Sequence, residues 1–356
     1  MDEMLKTIAQ LSHEFGTSDF VKGGGGNTSC KNASTLWVKP SGTTLAGLKP
    51  ETLVAMDRAK LGRLFELEVP ANKQAREALV KDVMAAAVLP GQNARASVEA
   101  PLHNSLRGTY VVHTHAVLVN GMTCAKDGAA ACARLFPDAM WVPYIDPGFT
   151  LCVDVNRRIA EFRAKNGREP NVLILENHGI FVSGDSADEI RAQYRRVIET
   201  LRAEYKKAEI STALEFGSPT LDEEVGEISG LLKEIIGNEA AAEVASAPFA
   251  IADGPISPDH SVYSKSFPYM GPLTRYGFEK FKAKHGYFPR VIVTKVGVFG
   301  IGPTPKVAQL ALEFAMDGAL LQQLAQAFGG IKFLSDAARE FIENWEVESY
   351  RAKLMT

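Results

Sequence analysis

The chain has 356 residues, 46% of them hydrophobic and 23% charged, with a formal net charge of −3 and a pI near 6.2. This is an ordinary globular composition, long enough for one large domain or two. It excludes a basic nucleic-acid-binding chain, and no apolar run is long enough to span a bilayer.

The opening Met1-Asp2-Glu3-Met4 is acidic and lacks an apolar signal core. Cys30, Cys124, Cys132 and Cys152 show no C-x-x-C spacing, which predicts free thiols and a cytoplasmic protein. From Met4 to Phe15, Leu5, Ile8, Leu11 and Phe15 share one face and predict an amphipathic helix. Lys22-Gly23-Gly24-Gly25-Gly26-Asn27-Thr28-Ser29 follows as a loop nearly bare of large side chains. Leu36-Trp37-Val38 predicts a short strand, closed by Pro40-Ser41-Gly42-Thr43. Glu51 to Asp57 continues as a strand or short helix, and Ala71 to Val88 is helical by composition.

Ser97 is placed to N-cap a helix from Val98 to Leu106, with Glu99 in its first turn. Tyr110-Val111-Val112-His113-Thr114-His115 is a β-branched strand, so His113 and His115 point to the same side. Val117 to Phe136 reads as mostly helical. Trp141-Val142-Pro143-Tyr144 is another short strand before the turn Asp146-Pro147-Gly148. Val172 to Leu175 and Ile180 to Val182 form a hairpin around His178. Ser186-Ala187-Asp188-Glu189 is a capping box, and its helix carries Ile190, Tyr194, Val197, Ile198, Leu201 and Tyr205 at helical spacing.

The composition shifts near residues 208–220, with Phe216-Gly217-Ser218-Pro219 as the predicted linker. The expected division is a domain at 1–212 and a C-terminal α/β module at 220–356. Val291-Ile292-Val293 … Val298-Phe299-Gly300-Ile301-Gly302 and a following helix echo Val172-Leu173-Ile174 … Ile180-Phe181-Val182-Ser183-Gly184 and theirs. The echo lacks a histidine at the place of His178, which suggests a degenerate repeat without metal chemistry.

His113, His115 and His178 carry the main chemical signal. Any one of them alone reads as an ordinary hydrogen-bonded imidazole. Together they offer three nitrogens for a zinc-like divalent cation with one position left open. His178 sits at a glycine-flanked bend that can aim a ligand, and the helix bearing Glu99 leads into the strand bearing His113. Glu99 is either a fourth ligand or an unligated acid or base; its bland alternative is a first-turn carboxylate favoured by the helix dipole. His103, one turn later, reads as a packing residue or a support behind a ligand, not as a ligand itself.

The glycine-rich segment is neither a P-loop nor a dinucleotide fingerprint. Its amides, with the side chains of Asn27, Thr28 and Ser29, suit an anion, as do Ser41-Gly42-Thr43 and Ser97. Each alone is merely a turn; three donor-rich turns beside a metal site suggest a small anionic substrate. Asp259 and His260 read as turn-capping residues, with an approach to the substrate as the alternative.

The ordered set Gly-Gly-Asn-Thr-Ser, Pro-Ser-Gly-Thr, Ser-Val-Glu-x-x-x-His, His-Thr-His-Ala, Val-Pro-Tyr-x-x-Pro-Gly and Glu-Asn-His-Gly resembles the class II aldolase/adducin family over about residues 5 to 205. Ser257-Pro258-Asp259-His260, Phe299-Gly300-Ile301-Gly302 and Trp345-Glu346-Val347-Glu348 are similar to the aldolase half of bifunctional rhamnulose-1-phosphate aldolase/short-chain dehydrogenase proteins. Their reductase half is absent from this sequence.

The resemblance implies an α/β/α sandwich around a mainly antiparallel sheet, the smaller C-terminal module, and a homotetramer. It implies that His113, His115 and His178 hold Zn2+ or another divalent metal, that Glu99 is the catalytic acid/base, and that Gly26, Asn27, Ser41, Gly42 and Ser97 cradle a phosphate. It also implies a tyrosine acid/base from a neighbouring subunit; Tyr144 is a candidate, with plain packing as its alternative. Pentulose-phosphate epimerases of the family carry Asp where Glu99 stands, which argues against that activity.

The expected function is retro-aldol cleavage of a rhamnulose or fuculose 1-phosphate to dihydroxyacetone phosphate and an aldehyde through a zinc-stabilised enediolate. The alternatives are decarboxylation of a 3-keto sugar acid phosphate and an adducin-like, non-catalytic binding module. A phosphorylated sugar is the expected partner, with no nucleic acid and no membrane.

Overall fold

The computed structural model describes residues 2–345 except 69, 71, 93, 219 and 220. Pro219 of the linker and Glu346-Val347-Glu348 of the terminal motif therefore lie outside the described residues. Two compact units are present, Met1–Val119 with Ala129–Leu201, and Asn120–Gly128 with Arg202–Thr356.

The first unit is a seven-stranded sheet between helices. In chain order it runs α1 (Asp2–Glu14), β1 (Asn27–Lys31), β2 (Thr35–Val38), β3 (Val54–Asp57), α2 (Arg58–Gly62), α3 (Lys73–Ala87), α4 (Ala100–Ser105) and β4 (Tyr110–Thr114). It continues with α5 (Val117–Thr123), α6 (Gly128–Leu135), β5 (Met140–Val142), α7 (Phe149–Asn166), β6 (Val172–Leu175), β7 (Gly179–Gly184) and α8 (Ala187–Lys207), of which residues 120–123 of α5, Gly128 of α6 and residues 202–207 of α8 are assigned to the second unit. The strand order is β3-β2-β1-β4-β7-β6-β5. Every neighbouring pair is antiparallel except β5 with β6.

Side-chain alternation along the strands sorts the two faces. Val111, Leu173 and Phe181 face α4 and α7, packing on Leu102, Leu151, Val155 and Ile159. Leu36, Val38, Val54 and Met56 continue that layer beneath α2 and α3. On the other face, Thr28 Oγ1 meets Ser12 Oγ of α1 at 2.7 Å, and Thr114 Oγ1 meets Tyr194 Oη of α8 at 3.0 Å. The result is the expected α/β/α sandwich around a mainly antiparallel sheet.

Two sequence expectations change here. The stretch from Val117 to Phe136 is broken at residues 124–127 into α5 and α6. At α8 the capping box is split: Ser186 Oγ accepts from Glu189 N, but the Glu189 carboxylate accepts from Asp185 N instead of reaching back to Ser186.

The second unit adds α9 (Asp222–Ile236), β8 (Ala242–Ser246), α10 (Pro258–Tyr263), α11 (Arg275–His285), β9 (Val291–Val293), β10 (Val298–Gly302), α12 (Pro305–Ala325) and α13 (Asp336–Glu343). Its antiparallel sheet has the order β8-β10-β9. One face packs on Leu232 and Ile235 of α9 and Phe278 of α11. The other packs on Ala311, Leu312, Ala315 and Ala319 of α12. Among the described residues, no helix is long and apolar enough to cross a membrane.

Candidate metal centre

Three imidazoles converge at one end of the central strands. His113 lies on β4, His115 just beyond its end, and His178 in the three-residue turn between β6 and β7. His113 Nε2 is 3.0 Å from His115 Nε2. One ring nitrogen from each of the three lies within 4.8 Å of the others. Glu99 Oε1 stands 3.4 Å from His113 Nε2 and 3.6 Å from His178 Nε2.

The turn Glu176-Asn177-His178-Gly179 explains how His178 arrives there. Asn177 adopts the left-handed region, at φ 51°, a conformation asparagine tolerates better than most residues. At Gly179 a Cβ would lie 2.3 Å from the Thr114 carbonyl oxygen and 2.9 Å from His115 Cδ2. Only glycine lets the turn press this closely on β4.

The orientation of His113 is set twice. Its Nδ1 lies 3.0 Å from the Ile180 carbonyl oxygen. A carbonyl can only accept, so Nδ1 carries the hydrogen and the Nε2 lone pair is left for a ligand. Its ring also stacks on Phe181, with centroids 3.8 Å apart and planes at 8°. His113 is fully buried and His178 nearly so. Three oriented imidazole donors with a carboxylate beside them fit a zinc-like divalent cation.

Glu99 is delivered by a helix start that differs from expectation. α4 begins at Ala100, and Glu99 is its N-cap. Pro101 is the reason. A helix starting at Val98 would need a Pro101 N–H for its first i→i−4 bond, and proline has none. Ser97 Oγ instead accepts from Glu99 N at 3.2 Å. Asn27 begins β1 opposite His113, and its Nδ2 reaches Glu99 Oε2 at 3.4 Å. Its Oδ1 is buried and has no hydrogen-bond partner among the described residues.

The glycine-rich segment departs from the anion-loop reading in part. Thr28 and Ser29 are fully buried strand residues, not loop donors. Thr28 is committed to Ser12, and Ser29 Oγ lies 2.7 Å from His103 Nδ1. Gly26 turns the chain into β1 at φ 71°, where a Cβ would lie 2.9 Å from the His113 carbonyl oxygen. His103 is a packing residue, as read: its ring meets Phe181 edge-on, and burial pushes its pKa down to about 3, so it is neutral. Lys31 Nζ donates to the His103 carbonyl at 3.0 Å, and burial, with the Arg58 charge, lowers its pKa to about 7.

The Ser41-Gly42 loop lies beside Ser97. Pro40 bridges Ala96, and Ser41 N donates to the Arg95 carbonyl at 2.8 Å. Gly42 is left-handed at φ 79°. Lys39 Nζ braces the loop by donating to the Thr43 carbonyl at 2.7 Å. Ser41, Gly42, Ser97 and Gly26 are half-buried, while Asn27 is buried.

Tyr144 is tied elsewhere. Its backbone N–H donates to Glu176 Oε2 at 2.8 Å, its hydroxyl faces Asp146 Oδ1 at 3.4 Å, and burial raises its pKa. His260 Nδ1 is 2.8 Å from Ser257 Oγ at the start of α10. Sequence reasoning missed Ile180 and Phe181 as the groups that orient His113. The hairpin around His178 signals only their pairing with Ile174 and Leu173 of β6; their pairing with Thr114 and His113 of β4 had no local signal.

The family model for the class II aldolase and adducin N-terminal domain matches residues 6–205. YuxG of Bacillus subtilis (strain 168), described as an uncharacterized oxidoreductase, is 24% identical over 394 residues, covering 93% of this chain and 55% of its own. The chain thus spans about half the length of the curated relative it matches. A solved N-terminal class II aldolase domain of a conserved protein from Thermoplasma acidophilum is 23% identical with a TM-score of 0.48, over 56% of this chain and 92% of that one. An L-fuculose-1-phosphate aldolase from Thermus thermophilus is 18% identical with a TM-score of 0.38, over 58% and 97% respectively.

Proposed function

Because the chain belongs to the class II aldolase and adducin family, we propose that it is a divalent-metal-dependent aldolase. Its substrate is a ketose 1-phosphate of the rhamnulose or fuculose type, and its products are dihydroxyacetone phosphate and an aldehyde. One observation carries the reading: three imidazole nitrogens gather within 4.8 Å of one another, with the Glu99 carboxylate 3.4 Å from His113 Nε2.

His113, His115 and His178 would hold the cation, zinc fitting the donor set. When bound, it supplies Lewis-acid stabilisation of negative charge developing on the substrate's carbonyl oxygen. Glu99 moves the proton. As the carbon–carbon bond breaks, its electron pair stays on the carbon next to the carbonyl, and the Glu99 carboxyl delivers a proton there. The hydroxyl proton of the departing fragment must leave at the same time, and its acceptor is the unassigned base. Asn27 Nδ2 holds the second Glu99 oxygen, which orients the carboxyl. Gly26, Asn27, Ser41, Gly42 and Ser97 would take the phosphate, whose charge suits turns rich in backbone N–H groups.

The test is metal analysis of the purified chain followed by a panel of phosphorylated ketoses. Stoichiometric metal with release of dihydroxyacetone phosphate supports the reading. Carbon dioxide released from a 3-keto sugar acid phosphate redirects it to a decarboxylase. A chain without bound metal or turnover points to an adducin-like binding module.

A further inference from the structure

One stretch of the first unit recurs in the second. Phe162-Arg163-Ala164-Lys165-Asn166-Gly167-Arg168-Glu169-Pro170-Asn171-Val172 and Phe281-Lys282-Ala283-Lys284-His285-Gly286-Tyr287-Phe288-Pro289-Arg290-Val291 share Phe, a basic residue, Ala, Lys, Gly, Pro and Val at one spacing. Both segments end a helix on a left-handed glycine, Gly167 at φ 70° and Gly286 at φ 82°, and then enter a strand.

The topology agrees independently. The order β4-β7-β6-β5 reappears as β8-β10-β9 with Tyr269, which bridges Ile292 in parallel as β5 pairs with β6. In each unit the hairpin is antiparallel to its third strand. Helices α4 and α7 cover the Phe181 face of the first sheet, and α9 and α11 cover the Phe299 face of the second. The helix after each hairpin, α8 or α12, has the same length of 21 residues.

Register then assigns positions. Phe299 faces Ala245 on one side and Ile292 on the other, as Phe181 faces His113 and Leu173. Ala245 therefore stands where His113 does, and Ala247, two residues on, where His115 does. Gly297 corresponds to Gly179, so Val296 precedes it as His178 does. The second turn is one residue shorter: Lys295-Val296 replaces Glu176-Asn177-His178, and no left-handed residue remains in it. Ala245 and Val296 pack on the apolar cluster of Tyr269, Ile292, Phe299 and Ile301.

We infer that the C-terminal module, from α9 to α12, is a second copy of the metal-bearing half in which apolar side chains have replaced the cation ligands. Each chain then carries one divalent-cation site, at His113, His115 and His178. The inference rests on the metal reading proposed above for that site.

The experiment restores the lost ligands in the full chain. Ala245→His and Ala247→His are combined with exchange of Lys295-Val296 for Glu-Asn-His. Bound zinc is counted by elemental analysis after dialysis, and the cobalt-loaded proteins are compared by visible absorption. One ion is expected in the parent and two in the graft. A folded graft that gains no ion overturns the repeat. A parent holding no ion overturns the metal reading instead, and the repeat is then judged by whether the graft gains one. Should the graft fail to fold, Ala245→His with Val296→His on the native turn replaces it. That pair should bind an added cobalt ion that neither single variant binds, and equal behaviour of pair and singles overturns the inference.

Discussion

The imidazole of His113 lies flat against Phe181, its cross-strand partner, with ring centroids 3.8 Å apart. The contact fixes the ring plane, and the Ile180 carbonyl fixes which nitrogen is bare. Groups behind a metal ligand commonly tune affinity 10- to 100-fold. Phe181→Leu should therefore weaken zinc binding by roughly that factor while costing only about 1–2 kcal/mol of metal-free stability. Competition with a chromogenic chelator and urea unfolding measure the two quantities. Unchanged affinity would show that the stack is packing alone.

Glu99→Gln preserves shape and removes the carboxyl proposed to carry the proton. Metal content should stay at the parent level and turnover should fall by about 10²- to 10⁴-fold. A variant that instead loses its metal would make Glu99 a ligand, the reading its 3.4 Å approach to His113 Nε2 leaves room for.

Gly179→Ala tests how the turn is seated. Its Cβ would meet the Thr114 carbonyl oxygen at 2.3 Å, and that oxygen belongs to a strand paired on both sides. Relief requires moving the turn away from β4, at a cost of about 1–3 kcal/mol. His178 would move with it, so zinc affinity should fall together with the urea midpoint. Full zinc affinity in this variant would mean that the turn is not positioned by that contact.

Lys31 predicts a pH dependence. Its folded pKa is lowered to about 7, chiefly by burial, against about 10.4 in an unfolded chain. Between those values the unfolded state binds the extra proton, so this group makes stability rise with pH across that window. The buried thiols of Cys30, Cys132 and Cys152, pushed up to about 12 by burial, act oppositely once unfolded thiols ionise near pH 8.5. The difference between parent and Lys31→Met isolates the lysine. The variant should lose the rising component, read as unfolding free energy from pH 6.5 to 8; identical slopes would refute the assignment.

The grouping of the three histidines was legible in the sequence because its signals are local. Strand alternation puts His113 and His115 on one side, and glycine after His178 marks a close approach. The β6–β7 hairpin and the long α8 announced themselves by periodicity. What was not legible was polar burial. Asn27-Thr28-Ser29-Cys30-Lys31 has no apolar pattern, yet all five are buried in the sheet beside β4. Ser12, His103 and the His103 carbonyl satisfy three of those side chains, and these partners lie far off in the chain. The start of α4 was misplaced because the donor that proline lacks outweighs the capping preference of Ser97.

The three clustered histidines are not mounted alike. His113 rides on the fourth of seven strands, hydrogen-bonded to a neighbour on each edge, whereas His178 stands on a bend of three residues. Emptying the centre should leave the first arm as a fixed post and release the second to swing. Entry and escape of the ion should therefore be governed by the bend, and its amides should be the first to exchange with solvent when the metal is stripped.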